Sequence, residues 1–314
     1  MEIAHMNKTI ERDERKKILV IGSSNTDMVV TTGRLPAAGE TLLGKSFFMN
    51  GGGKGANQAV AAARLGASVS MICKVGNDVF GQKAIDLLKT DGIDTRYVLK
   101  DAELPSGVAL ITVDEKGENH IIVAPGANAG LLPKDLTDVS QVIEASDIIL
   151  MQLEIPLETV AYVADLAFRM GKRIILNPAP ALSMPGGLLR RISLITPNES
   201  EASLISGVKI TDMDSACAAA VEIAAVGVSD VIITRGGEGA LILSKGRFEE
   251  IPAPVVEAVD TTAAGDVFNG ALAVALAEGN SLLDAARFGV EAAALSVTRR
   301  GAQSSAPYRW ELSI

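Results

Sequence analysis

Short apolar runs of strand length alternate with segments of helical period along most of this chain. Residues 18–23, 68–75 and 147–154 form such runs, and helical patterns begin at Lys54 and Pro156. Strands that alternate with helices form a parallel sheet that helices cover on both faces. The pattern therefore predicts an α/β fold, in which a doubly wound, mainly parallel sheet lies between two layers of helices.

Two segments interrupt this alternation. Residues 26–51 and 105–125 are rich in Thr, Gly and β-forming residues, and neither shows a helical period. They are too polar for the buried sheet, so we expect them to pair into a small projecting sheet. Ligands of open α/β sheets bind beyond the carboxyl ends of the strands, where such a sheet would act as a lid. Residues 18–314 are predicted to form this domain, after a charged, mobile tail at residues 1–17.

Composition narrows the range of partners. The 314 residues are 48% apolar and 21% charged, as in ordinary globular proteins. A net charge of −9 with 4% aromatic residues disfavours a nucleic-acid surface. No run approaches the length of a membrane span, and the first 17 residues lack the apolar core of a secretory signal. We expect a cytoplasmic protein, with Cys73 and Cys217 as separate core residues.

The glycine-rich stretch NGGGKGANQAVAAARLGA starts a helix and allows several interpretations. Gly51, Gly53 and Ala56 fit a dinucleotide-binding fingerprint, although no acidic residue ends the next strand. An NAD(P)-dependent oxidoreductase is therefore one hypothesis. Alternatively, the glycines let a ligand approach backbone amides, while Lys54 and Asn57 supply donors. A simple turn into a helix is the third interpretation.

Polar residues follow several predicted strands. Asn25 and Asp27 share a face of extended chain and could bind sugar hydroxyls, or they could form an Asx turn. Glu154 ends another strand, as a ligand contact or a solvated acid. Asn198 and Glu201 have the spacing of a capping box, and the same carboxylate could hold hydrated Mg²⁺.

The stretch VDTTAAGDVFNGAL places an acid within the first turn of a helix. Successive N–H groups from Ala263 to Asp266 could bind an anion there. The helix dipole alone favours an acid at Asp266, so this residue is interpreted either as a helix-start residue or as a base beside a phosphate. The stretch TRGGEGA is a hairpin turn or a place where a ring or phosphate approaches the backbone.

Taken in order, seven stretches resemble the ribokinase (PfkB) family of carbohydrate kinases over about residues 18–310. They are GSSNTD, GGKGANQAVAAA, MQLE, LNPAPA, TPNESEA, AVDTTAAGDVFNGAL and SVTRRGAQSSAP. The resemblance implies a ribokinase-like fold, phosphorylation of the 5-hydroxyl of ribose by ATP, and a homodimer paired through the lid. A family kinase for deoxyribose, fructose or adenosine is the alternative, and a sugar-sensing pseudokinase is a further one.

The resemblance also implies roles for individual residues. Asp266 would be the catalytic base, with amides of Ala264 and Gly265 in an anion hole. The sugar would contact Asn25, Asp27, Gly52, Gly53, Lys54, Asn57, Glu154 and Asp266. ATP would contact Asn198, Thr234, Arg235, Gly236, Gly237, Glu238, Gly239, Gly265 and Asp266. Glu201 would hold Mg²⁺ through water, and an activating K⁺ would be bound by Asp260, Thr262, Ser296, Arg299, Gly301 and Ser305.

Three positions refine the resemblance. Ala263 replaces a glycine that is frequent in the family, but it still offers its N–H group. Val290 stands where a polar ring or amide is often found near the nucleotide, so one adenine-side contact is expected to differ. Asn25 favours a sugar that keeps its 2-hydroxyl, because a buried amide without a partner is costly.

Overall fold

The computed structural model describes residues 15–115 and 118–312. The predicted tail at 1–17 lies outside these residues, except for its last three. The strands are β1 (Lys17–Ile21), β2 (Asn25–Thr31), β3 (Ser46–Gly52), β4 (Ser68–Gly76), β5 (Val98–Asp101), β6 (Gly107–Val113), β7 (Asn119–Ala124), β8 (Ile148–Met151), β9 (Arg173–Leu176), β10 (Leu194–Ile195), β11 (Asp230–Thr234), β12 (Ala240–Ser244) and β13 (Arg247–Ile251). The helices are α1 (Lys54–Arg64), α2 (Val79–Thr90), α3 (Val139–Ala145), α4 (Leu157–Arg169), α5 (Gly186–Leu189), α6 (Glu199–Ser206), α7 (Met213–Ala225), α8 (Ala264–Ala277) and α9 (Leu282–Ser296).

Nine strands of the described residues form one large sheet in the order β13-β12-β11-β10-β9-β8-β1-β4-β5. All neighbouring strands from β11 to β5 in this order are parallel to each other. Strand β12 is antiparallel to both of its neighbours, β11 and β13. From β1 the chain proceeds outward in one direction through β4 and β5, and in the other through β8 to β11. The strand order therefore reverses between β1 and β8, where doubly wound sheets bind ligands.

Alternate residues of β1 bury into two separate hydrophobic layers. Ile18 and Val20 pack under α1, α8 and α9, while Leu19 and Ile21 pack under α3, α4 and α7. A strand that is covered on both faces needs apolar residues at every position, which explains the uninterrupted apolar run. The predicted α/β fold with a mainly parallel sheet between helices is confirmed.

The two segments that break the alternation form a separate four-stranded sheet within the described residues, in the order β3-β2-β6-β7. Strands β2 and β6 are parallel, and the other pairs are antiparallel. This small sheet begins where β1 ends, so β2 carries its first residues directly over the edge of the large sheet. The predicted small separate sheet is confirmed.

Helices α1 and α8 pack at very short range. A Cβ atom at Gly270 of α8 would lie 2.7 Å from Cβ of Ala61 and 2.8 Å from the carbonyl oxygen of Gln58, both on α1. Only glycine permits this approach, because a larger residue would separate the helices. The contact places the first turns of the two helices side by side.

Some local predictions were wrong. The strand expected at 147–154 ends at Met151, after which the Leu153 amide donates to the carbonyl of Ala179 rather than to a sheet neighbour. Strand β5 and helices α3 and α5 were not predicted, since each is too short to show a period. Cys217 is half-buried rather than in the core. No helix of residues 15–115 and 118–312 is long and apolar enough to cross a membrane.

Candidate active site

Asp266 lies in the first turn of α8 and is buried, with 5% of its surface exposed. Two side-chain amides of α1 donate to it. Nδ2 of Asn57 is 2.9 Å from Oδ2, and Nε2 of Gln58 is 3.0 Å from Oδ1. Donors to both oxygens favour the ionised carboxylate, although burial opposes it.

Acidic groups surround the single ammonium group of Lys54 at this end of the sheet. The charge of Asp266 is the largest influence that raises the pKa of Lys54, and Glu154 and Glu201 add to it. Burial raises the pKa of Asp266, while Lys54, Asn57 and Gln58 act in the opposite direction. A buried carboxylate of increased basicity beside a fixed cation is typical of a general base.

Asp27 on β2 faces the same space. Burial, followed by the charges of Glu154 and Asp266, raises its pKa from 3.8 to about 7. Gly52 on the adjacent strand β3, which pairs with Asn25, is a glycine for a steric reason, because a Cβ atom there would overlap the Asp27 carboxylate. The small sheet therefore places a second carboxylate of raised pKa opposite the first.

The amide of Asn25 is held in one orientation by Asn128, a buried residue of the 3₁₀ turn Gly126–Gly130. Nδ2 of Asn128 donates to Oδ1 of Asn25 at 2.7 Å, while Asn128 also bonds both backbone groups of Ser24. The Nδ2 group of Asn25 is therefore the part that remains for a ligand. Sequence reasoning missed Asn128, whose only signal is an amide among small residues.

Glu154 tethers the loop after β8 to the start of α1. Its Oε2 accepts hydrogen bonds from Oγ of Ser23 at 2.5 Å and from the Lys54 amide at 3.1 Å. Gly53 precedes α1 with φ 87°, and a Cβ atom there would lie 2.7 Å from the Asn25 nitrogen. The predicted sugar residues Asn25, Asp27, Gly52, Gly53, Lys54, Asn57 and Glu154 thus lie together around Asp266.

Two cavities meet at the first turn of α8. One, of about 230 Å³, is polar and is lined by Lys54, Asn198, Glu201 and Asp266 among others. The other, of about 400 Å³, is mainly apolar. Both are lined by Thr234, Thr261, Ala264 and Gly265.

The apolar cavity, called the apolar slot below, is lined mainly by glycine and aliphatic side chains. Its walls come from the β11–β12 turn, the 253–258 loop and α9, and they include Gly236, Gly237, Gly239, Val255, Val256, Val290, Ala293 and Val297. Val290, which was predicted to lie near the nucleotide, is one of these lining residues. Arg235 and Glu238, which were also predicted to contact ATP, pair with each other, and Arg235 also pairs with Glu199.

The helix start that was predicted to bind an anion has unusual backbone geometry. Ala263 precedes α8 in the left-handed conformation, at φ 60° and ψ 13°, which is costly for a residue with a Cβ atom. The Ala264 amide donates a long hydrogen bond to the Thr261 carbonyl at 3.3 Å. The Gly265 and Asp266 amides follow in the first turn, where an α-helix offers no internal acceptor. Ala264 and Gly265 line both cavities, and Asp266 lines the polar one.

Asn198 and Glu201 form the predicted capping box at the start of α6. The Glu201 amide donates to Oδ1 of Asn198 at 2.8 Å, and Oε2 of Glu201 accepts from the Asn198 amide at 2.9 Å. Burial raises the pKa of Glu201. One oxygen of this carboxylate is therefore committed to the cap, and Oε1 can face a ligand in the polar cavity.

The residues predicted to bind K⁺ lie in two loops that the Asp260 carboxylate joins. Oδ1 accepts from the Thr262 amide at 2.9 Å, and Oδ2 accepts from the Gly301 amide at 2.8 Å. The Arg299 side chain pairs with Glu311, which leaves its backbone carbonyl as the possible ligand atom. The hydroxyls of Ser296 and Ser305 donate to the carbonyls of Ala293 and Ala302.

Acidic clusters do not supply an alternative metal centre. Within the described part of the chain, no three His, Cys, Asp or Glu side chains are arranged to hold a metal ion. A K⁺ site whose ligands are backbone carbonyls is a different kind of site, because it does not need such a cluster of side chains.

Sequence reasoning also missed a group of buried polar residues behind Asp266. Each of them lies just after a strand or on the inward face of a helix. These residues are Gln58, Gln152, Asn177, Thr196 and Asn269. Gln58 and Gln152 belong to stretches that were already singled out, so their signal was an amide within a motif.

Comparison with known proteins decides the family. The sequence model of the family described as pfkB family carbohydrate kinase matches residues 15–309 of the chain. The chain belongs to the pfkB family of carbohydrate kinases. It is 44% identical to a ribokinase of Haemophilus influenzae, over 95% of this chain and 97% of that protein. It is 38% identical to a deoxyribokinase of Salmonella typhi, over 92% and 95% of the two chains.

A solved structure agrees with both the fold and the family. The structure of Arabidopsis thaliana ribokinase complexed with ribose and ATP superposes with a TM-score of 0.88 and 32% identity, covering 94% of this kinase and 96% of that chain. The predicted membership of the family, and the predicted enzyme class of a sugar kinase, are confirmed.

The raised pKa of Asp27 makes the stability of the kinase depend on pH. Between about pH 4 and 7 the folded chain keeps a proton on Asp27 that the unfolded chain loses, so stability falls as pH rises through this window. Asp27→Asn stays neutral. The parent therefore loses stability relative to this variant as pH rises. The free energy of unfolding of the variant minus that of the parent should increase from pH 4 to pH 8 by up to about 4 kcal/mol.

Urea denaturation across this pH range measures the difference. Asp86→Asn, which removes an exposed carboxylate of α2, controls for the substitution itself. A difference between Asp27→Asn and the parent that stays constant with pH would contradict the assignment.

Proposed function

We propose that this kinase transfers the γ-phosphoryl group of ATP to O5 of D-ribose, giving D-ribose 5-phosphate and ADP. The observation that carries the proposal is the position of Asp266, a buried carboxylate where the polar cavity meets the apolar slot at the start of α8. Ribokinase relatives, one of them solved with ribose and ATP, support the same substrates.

The sugar is proposed to lie between the small sheet and α1. Asn25 presents its Nδ2 group, and Asp27 and Glu154 offer carboxylate oxygens that accept from hydroxyls. Lys54 and Asn57 supply donors from the first turn of α1. This set, with Gly52 and Gly53 giving space for close approach, would direct O5 toward Asp266.

Proton transfer and phosphoryl transfer are proposed to occur together. Asp266 accepts the proton of the 5-hydroxyl while O5 forms a bond to the γ-phosphorus. The bond from that phosphorus to the β–γ bridging oxygen breaks, and ADP leaves. Amides of Ala264, Gly265 and Asp266 would face the charge of the transferring group, in a reaction where positioning and electrostatics supply most of the rate.

The nucleotide is proposed to occupy the apolar slot. Its ring would lie against Val256 and Val290, with phosphates directed along Thr234 and Gly239 toward α8. Asn198 lines the polar cavity near the proposed position of the phosphates. Arg235 and Glu238, which pair with each other, are proposed to contact ATP from the turn between β11 and β12.

Glu201 fits a role with Mg²⁺, because one of its oxygens is committed to the helix cap and the other can bind a coordinated water. Bound Mg²⁺ would neutralise phosphate charge. The two loops joined by Asp260 fit a K⁺ site of carbonyls, and bound K⁺ would stiffen the backbone before α8. The proposed K⁺ ligands are Asp260, Thr262, Ser296, Arg299, Gly301 and Ser305.

Two alternatives remain distinct. A family kinase for deoxyribose has the deoxyribokinase relative in its favour, but the oriented amide of Asn25 would then lack a partner. A nucleoside kinase would need an apolar or aromatic wall for the base, and the stretch GSSNTD contains no aromatic residue. An NAD(P)-dependent enzyme does not fit, because Gly51 lies in β3, which pairs antiparallel with β2 in the small sheet, and not after a strand of the parallel sheet.

Asp266→Asn tests the base. We expect kcat to fall by about 10²–10⁴, the usual contribution of a general base, with ribose and ATP binding retained. Nδ2 of the new amide can be accommodated if Asn57 rotates, since Oδ1 of Asn57 has no partner within the described residues. Steady-state kinetics and calorimetric binding measure the two effects.

A matched control separates the base from a helix-start effect. Asp284 occupies the first turn of α9, as Asp266 does in α8, but it is exposed and distant from both cavities. Asp284→Asn should lose only about 0.3–1 kcal/mol of stability and keep its turnover. Near-normal turnover in Asp266→Asn would contradict the mechanism.

Substrate and ion requirements can be measured in one assay series. With ATP, ribose should give a higher kcat/KM than 2-deoxyribose, fructose or adenosine. Because Asn128 fixes the donor of Asn25, Asn25→Leu should narrow the preference over deoxyribose by about 10-fold or more. Omission of Mg²⁺ should abolish the reaction, and omission of K⁺ should slow it. A parent enzyme that prefers deoxyribose would reject the ribose assignment.

The small sheet is proposed to be both a lid that excludes water and a dimer interface in a cytoplasmic homodimer. It exposes large apolar side chains, including Leu110 (50% exposed) and Ile122 (69%), which pair across β6 and β7 and share one face. Contiguous exposed apolar surface is typical of an interface. Light scattering should show a dimer for the parent and a monomer for the double variant Leu110→Lys/Ile122→Lys. A monomeric parent would exclude this interface.

A further inference from the structure

A chain of side-chain amides connects a backbone carbonyl with the carboxylate of Asp266. Nδ2 of Asn177 donates to the Thr196 carbonyl at 3.2 Å, and Oδ1 of Asn177 accepts from Nε2 of Gln58 at 3.1 Å. The same Nε2 donates to Asp266 at 3.0 Å. Gln58 is completely buried, so water does not replace any of these bonds.

The chemistry of the first member fixes the direction of the whole chain. A backbone carbonyl can only accept, so Asn177 must turn its Nδ2 group toward Thr196. Its oxygen then faces Gln58, so Gln58 must donate to it from its own NH₂ group. Both hydrogens of that group are thereby assigned, one to Asn177 and one to Asp266.

Gln152 holds the other end of the Gln58 amide. Its Nε2 donates to Oε1 of Gln58 at 2.6 Å, which is the remaining hydrogen-bonding atom of that side chain. Oε1 of Gln152 ends the chain without a partner among the described residues. A Cβ atom at Gly22 would overlap this oxygen, so glycine at the end of β1 makes room for the amide.

We propose that Gln58 is a positioning residue for the catalytic base, held by Gln152 and Asn177 so that its NH₂ group always faces Oδ1 of Asp266. The inference rests on the proposed function, in which Asp266 takes the proton. Gln58 lines neither cavity, so it would act through Asp266 and not by binding either substrate. A flipped Gln58 would turn its oxygen toward the carboxylate and repel it.

The bond from Gln58 is one of several influences on Asp266. Lys54 and Asn57 on α1 favour its charged form, whereas Glu154 after β8 disfavours it. Asp27 on β2 and Glu201 on α6 also interact with Asp266 through charge. Because these groups remain in a Gln58 variant, a change in the titration of the base can be assigned to the lost amide.

Gln58→Met is the test, because methionine keeps the length and unbranched shape of glutamine and removes its donors. The rate should rise with pH as the base ionises. Loss of a hydrogen bond to a charged group should move this rise in kcat/KM to higher pH by about one unit. On the rising limb, kcat/KM at a given pH falls about tenfold, while the KM values for ribose and ATP stay near those of the parent.

Two further variants make the result specific. Gln152→Met leaves the bond to Asp266 but removes its anchor, so a smaller shift in the same direction is expected. It carries the test if Gln58→Met does not fold. Gln82→Met removes an exposed amide that donates to Asp86 at 2.9 Å, and its profile should match the parent.

The outcomes separate this inference from the proposed function. Loss of turnover in Asp266→Asn, combined with unshifted profiles in Gln58→Met and Gln152→Met, overturns the role of Gln58 alone. Retained turnover in Asp266→Asn overturns the base and the positioning role together. A shifted profile in both glutamine variants, with lost turnover in Asp266→Asn, supports both.

Discussion

Gly270 lets α8 approach α1 so closely that the first turns of both helices share one buried space. In that space the amides of Asn57 and Gln58 replace the water that the Asp266 carboxylate has lost. A buried carboxylate without such donors would take up a proton. The position of the small cavity, the basicity of Asp266 and the aim of the α8 amides all depend on this helix contact.

The same end of the sheet concentrates negative charge at a cost in stability. Asp27, Glu154, Glu201 and Asp266 all act on one ammonium group, that of Lys54, or on each other. Folding alone does not favour such crowding, because partly buried like charges repel. A polyhydroxylated ligand would offset this repulsion by donating hydrogen bonds to the carboxylates. The site therefore has better hydrogen bonding with a ligand than without one.

Much of the fold could be predicted, because strand and helix periods are local. The runs at 18–23 and 68–75 became β1 and β4, and the glycine-rich stretch became the start of α1. The grouping of Asn25, Asp27, Lys54 and Asp266 followed from a family resemblance rather than from spacing. What the resemblance implied about their individual roles stays a prediction.

Other features depended on contacts between distant segments. Arg235 and Glu238 pair across a turn, which no pattern indicates. Asn128 and Gln152 act through residues that lie about a hundred positions away in the chain. Short elements such as α5 were also hidden, because four residues cannot show a helical period.

Two of the groups proposed to face the sugar lie in the small sheet, whereas the group proposed to take the proton lies on a helix that covers the large sheet. Asn25 and Asp27 are on β2 of the small sheet, and Asp266 of α8 is held by Gln58 of α1. Substitutions on the small sheet can therefore alter which hydroxyls are recognised while leaving the reaction chemistry intact. A change of substrate therefore requires substitutions mainly in the small sheet, while the residues that carry out the reaction can stay the same.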